Sequence, residues 1–115
     1  MSRVKRRREP LERLRHHKLM TREIREALPP LYATEDTPMS EKLLVAKFFC
    51  PYNGWRWYAT EFDGNDIFFG YVEGAVREWG YFPLSGLLTA TVGGGIPAVE
   101  RDLHFQPVKF SDLAE

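Results

Sequence analysis

Cysteine and histidine are scarce: the chain has one cysteine, Cys50, and three histidines in 115 residues. A lone cysteine cannot close an intrachain disulfide, so stability must come from a core, and a reducing cytoplasm is the expected setting. His16 and His17 are adjacent and His104 is remote, so no set of residues has metal-ligand spacing and no metal is expected. No apolar run reaches the roughly 18 residues needed to span a bilayer, and the basic start is not followed by an apolar segment. Neither a membrane contact nor a secretory leader is therefore expected.

Several chemistries are missing as well. The acidic turn Asp63-Gly64-Asn65-Asp66 lacks glycine where a calcium loop requires it. Gly93-Gly94-Gly95 is followed by Pro97 rather than by a Lys-Ser/Thr pair, which argues for a mobile loop and against a phosphate cradle. Cys50 and His104 are one conceivable nucleophile and base, but Cys50 ends an apolar run, where thiols are normally inert. Serine-triad signatures are absent. No catalytic residue and no cofactor is expected.

Net charge is also absent, with 16 basic and 16 acidic side chains, but the balance is uneven along the chain. Residues 1–25 hold ten Lys/Arg against three Glu, and the remaining ninety hold six against thirteen acids. Residues 1–19 read as a basic arm, helical or disordered, with Leu11, Leu14 and Leu19 as its few apolar residues. Clustered cations release counterions from phosphates, so Arg3, Lys5, Arg6, Arg7, Arg8, Arg13 and Arg15 are candidate nucleic-acid contacts.

What the chain has in quantity is aromatic residues, concentrated between Trp55 and Phe82. Runs at Trp55 to Phe62 and Ile67 to Val72 flank the acidic turn, which predicts an antiparallel hairpin. Each large ring buries roughly 150–250 Å², so this hairpin should supply most of the core. Thr21 predicts an N-cap for a helix to about Leu28, stopped by Pro29-Pro30. Leu43 to Cys50 predicts one strand buried on both faces, and Ala98 to Phe105 a last strand. Glu73 to Trp79 fits either a helical turn or a linker. Ser85 could cap a short helix through Leu88. The expected architecture is one α+β domain over residues 20–115. It has a mainly antiparallel four-stranded sheet, with the helix packed on it and the arm preceding it.

Strand alternation places three charges on faces that are otherwise apolar. Lys47 falls among Leu43, Val45 and Phe49; Glu61 among Trp55, Trp57 and Ala59; Arg101 among Val99, Leu103 and Phe105. Such charges must pair, reach solvent or change protonation state. The expectation is that Glu61 pairs with Arg101 or Lys47 beside Trp57 and Tyr58. These five residues form the candidate binding site, serving either a structural ion network or a pocket.

Met20-Thr21, Glu23-Ile24, Leu28-Pro29, Leu31 to Glu35, Lys47-Phe48-Phe49, Trp57 to Gly64, Phe68-Phe69-Gly70, Gly80-Tyr81-Phe82 and Glu100-Arg101-Asp102 together carry a resemblance. Over about residues 20–110 the chain resembles a bacterial family of small domains of unknown function, frequent on plasmids and integrative conjugative elements. The resemblance implies a mobile-element setting and no established activity, cofactor or catalytic residues. The leading expectation is a non-enzymatic accessory module that contacts a host or element-encoded protein through an aromatic and acidic surface. Nucleic-acid binding through the arm is the alternative, and an enzyme with Glu61 in a pocket is a third reading.

Overall fold

The computed structural model describes residues 8–113. Arg3, Lys5, Arg6 and Arg7 of the expected arm lie outside the described residues. The centre of the fold is the aromatic hairpin, made by β3 (Arg56–Phe62) and β4 (Ile67–Glu73). Its turn is held by a single carboxylate: Asp63 Oδ1 accepts the N–H groups of Asn65, Asp66 and Ile67 at 2.8, 2.8 and 3.0 Å. Gly64 takes the positive φ of 86° that the turn requires.

The segment open to two readings becomes a second tight turn. Gly74 donates to the Val76 carbonyl at 3.0 Å, and the chain continues as strand β5 (Arg77–Pro83). Tyr71 then faces Trp79, and Phe69 faces Tyr81, with ring centroids 5.6 and 5.1 Å apart. These cross-strand aromatic pairs favour the strand over a helical turn.

Among the described residues the main sheet is therefore five-stranded and antiparallel, not four-stranded, in the order β5-β4-β3-β2-β8, where β2 is Ala46–Phe49 and β8 is Glu100–Arg101. The apolar run from Leu43 does not form one strand. It splits at Val45 into β1 (Leu43–Leu44) and β2 (Ala46–Phe49). β2 pairs with β3, whereas β1 pairs with β9 (Val108–Lys109) near the end of the chain. The expected last strand shrinks to β8 (Glu100–Arg101), because Asp102 leaves the ladder after donating to the Lys47 carbonyl at 2.9 Å.

Both sheet faces are covered. One carries the main core, with Phe68 in ring contact with Phe48, Phe62 and Phe82, and with Leu19, Leu84 and Leu87 in the same cluster. The other carries Leu44, Tyr58 and Tyr71 beneath Phe105, Val108 and Phe110.

The helices also differ from expectation. A one-turn helix, α1 (Glu12–Arg15), precedes α2 (Arg22–Ala27). Thr21 caps α2 as its residue type predicts, accepting the Ile24 N–H at 3.1 Å. No residue of α2 is fully buried, so this helix is peripheral. α3 (Leu84–Thr89) begins before Ser85, whose N–H and hydroxyl both reach the Asp66 carboxylate, at 2.7 and 3.0 Å. The three glycines close a small hairpin between β6 (Thr91–Val92) and β7 (Ile96–Pro97) rather than a loose loop. No helix among the described residues is long and apolar enough to cross a membrane.

The described part of the expected arm lies against the body. Leu19 is fully buried, and both oxygens of Glu9 are taken up by the Leu19 and Met20 N–H groups, at 2.7 and 2.8 Å. Arg15 is 6% exposed and donates to the carbonyls of Val99, Leu88 and Pro10 at 2.8, 3.2 and 3.3 Å. Burial pushes its guanidinium below the ordinary arginine value.

Candidate functional site

Of the three misplaced charges, Glu61 is the most buried, at 3% exposure, and it meets neither Lys47 nor Arg101. The expected pairing is thus corrected. The cause is a β-bulge between Ala59 and Glu61, with Thr60 as the extra residue. One inserted residue reverses the side-chain alternation, so Glu61 pairs with Phe69 and shares the face of Tyr58, opposite Trp57 and Ala59.

There its carboxylate accepts the N–H groups of Tyr32 and Thr34, at 2.8 and 3.0 Å, and the Thr34 hydroxyl. Lys42, also 3% exposed, donates to the Thr34 carbonyl and, at 3.0 Å, to its hydroxyl, and lies 5.9 Å from the Phe69 ring centroid. Glu61 and Lys42 therefore grip the loop after Pro29-Pro30 from two sides. This arrangement pins a loop and presents no free acid to a substrate.

Tyr58 belongs to the second core, between Tyr71 and Phe105 at centroid distances of 6.1 and 5.8 Å. Burial pushes its phenol up to about 12, reinforced by the negative charge of Glu73 and opposed by Arg56. Glu73, 8% exposed, is held by Arg56 at 3.1 Å and Arg77 at 3.8 Å. Trp57 is half-buried against the main core.

Lys47 and Arg101 do come together, in a cleft of about 460 Å³ at the β2–β8 margin of the sheet. Lys47 pairs with Asp102 at 3.5 Å, both side chains about a quarter exposed. Arg101 Nε donates to the Lys18 carbonyl at 2.9 Å, and its backbone N–H donates to His17 Nε2 at 3.0 Å. Residues 17 and 18 thereby close the outer edge of β8. Burial, then the Arg101 charge, pushes the His17 imidazole below its ordinary value, in keeping with its role as a neutral acceptor.

The rim carries exposed apolar groups: Trp55, tilted against Trp57 at 5.9 Å, and Leu103, 57% exposed. Trp55 lies over Gly74, where an added Cβ would come within 2.5 Å of the indole. A second cleft of about 410 Å³ shares Lys47, Arg101, Asp102 and Leu103, so these residues form a ridge between two hollows. Cys50 and His104 both border the first cleft, but the thiol is 5% exposed.

Sequence reasoning singled out Lys47 and Arg101, placed Leu103 beside Arg101 only as a strand residue, and missed His17 and Asp102 as their neighbours. The signal available for Leu103 was an apolar residue beside two charged ones, which also fits a strand. Of the described arm cations, Arg8 and Arg13 are exposed and Arg15 is buried. Among the described residues no three His, Cys, Asp or Glu side chains are grouped to hold a metal ion.

Fold and cleft together define a small α+β module with a mixed-charge, partly apolar hollow beside a short edge strand. The family described as protein of unknown function DUF2958 matches residues 19–114, most of the chain, and the protein belongs to that family. Neither the comparison with curated proteins nor that with solved structures found a match.

Proposed function

We propose that the protein is a non-catalytic binding module that takes a segment of a partner protein across the ridge between the two clefts. The observation that carries this reading is the exposed pair Trp55 and Leu103, placed beside the Lys47–Asp102 ion pair. Apolar anchors ringed by polar groups of both signs suit a protein partner, in which a few buried aromatic or aliphatic side chains supply most of the affinity. The contact surface differs from the one expected from sequence, since Tyr58 and Glu61 are interior. The family resemblance supports the finer setting: an accessory protein of a mobile element, acting in the bacterial cytoplasm on a host or element-encoded protein.

The test starts with a photoreactive residue at position 103, and with Thr89 on α3 as the control position, to capture the partner in cells. Calorimetry on the identified pair then compares wild type with Trp55→Ala and Leu103→Asp. Each should weaken binding about tenfold or more, or about 1.4 kcal/mol. A partner captured equally from both positions, and bound equally by both variants, would end this reading.

A further inference from the structure

Four of the ten basic residues counted near the start of the chain converge. Arg8, Lys18, Arg22 and Arg25, drawn from the first described residues, the segment before α2, and α2 itself, line one hollow of about 680 Å³. This hollow shares no residue with the Lys47–Arg101 cleft.

Among the described residues only one acid lines it, Glu9, and both its oxygens are occupied by the Leu19 and Met20 N–H groups. Glu26 pairs with Arg22 at 2.9 Å, but these side chains are 62% and 87% exposed. So exposed a pair is weak and yields readily to a stronger anion. Arg25 is held in place: one terminal nitrogen donates to the Gly64 carbonyl at 2.9 Å, and the guanidinium lies 5.1 Å from the Phe62 ring centroid. A guanidinium has five N–H donors, so this anchoring leaves donors for a ligand. The apolar floor, Met20 and Leu84, is sunk at 7% and 5% exposure.

We propose that this hollow is a phosphate-backbone site for nucleic acid, with Arg8, Lys18, Arg22 and Arg25 as its contacts. A concave surface lined by several cations can enclose a ridge of phosphates. A flat bilayer meets a protruding apolar wedge better than a recessed floor. Sequence-independent affinity with steep salt dependence is the expected behaviour, because the contacts are to phosphate and not to base edges.

The experiment measures fluorescence anisotropy of labelled random-sequence single-stranded and duplex DNA with the full chain, over a series of salt concentrations. Binding is expected at about 50 mM salt, with a log–log slope of about −3 or steeper. Lys18→Glu with Arg22→Glu should weaken it about tenfold or more and flatten the slope. Trp55→Ala, in the separate cleft, should leave it unchanged. If the double charge reversal lowers the melting temperature, Lys18→Gln with Arg22→Gln is compared instead. Absence of binding at low salt, or undiminished binding by the double variants, would overturn the proposal. Stronger binding to phosphatidylglycerol vesicles would reassign the hollow to a membrane surface, and stronger binding to polyglutamate would reassign it to an acidic protein.

Discussion

A methyl group added at Gly70 would sit 1.8 Å from the Tyr58 carbonyl oxygen, which is backbone and cannot swing aside. Gly70→Ala must therefore push β3 and β4 apart at the centre of the sheet, and should cost about 3 kcal/mol in chemical denaturation. Glu61→Gln keeps the shape but places an amide against the Tyr32 and Thr34 donors and removes a charge near buried Lys42. A loss of about 3 kcal/mol is expected, with the loop at 31–36 becoming the first site of proteolysis. Asp63 illustrates a pH effect. Three backbone N–H bonds hold its carboxyl below the ordinary carboxylate value. A depressed folded value means that its stabilisation is present above the unfolded value of about 3.9 and is lost as pH falls through the folded one. Asp63→Asn should thus be less stable than wild type near neutrality, and the gap between their melting temperatures should narrow below about pH 4.

At the scale of elements, the hairpin and the start of α2 were legible because their signals are local. Asp63 and Gly64 form the turn that their residue types favour, and Thr21 caps the next three residues. Glu61's partners were not legible, for two reasons. The bulge at Thr60 reverses the face of one side chain without leaving a mark in composition, and the receiving loop is 27 to 29 residues away. β5 was hidden by Gly74 and Gly80, which read as breaks although one makes a turn and the other stands mid-strand opposite Gly70. Lys47 and Arg101 could be flagged as misplaced charges, yet their meeting depends on β8 pairing with β2, and Phe48 facing Arg101 is a long-range register. Gly74 also offers a test of the cleft. Gly74→Ala should lift the Trp55 indole off the turn, with a change in tryptophan emission and a weaker partner complex. The sheet should be little affected, since a side chain can move where a backbone cannot.

For the whole molecule, Arg15, expected in a basic arm as a candidate nucleic-acid contact, is a bolt between distant parts of the chain. Arg15 joins Pro10, Leu88 and Val99, so Arg15→Ala strands buried carbonyls and should cost about 2–4 kcal/mol. Native-state hydrogen exchange should then rise first in residues 9–20. Arg15→Lys should not rescue it, because an ammonium cannot reproduce the planar donor geometry. The same bolt fixes an order of events during synthesis. Residues 9–20 leave the ribosome well before the groups they dock on, Leu88 to Arg101. At about 5–20 residues per second, the segment waits several seconds with Leu19 and Met20 uncovered. The segment can therefore lock only after the stretch from Leu88 to Arg101 has been made.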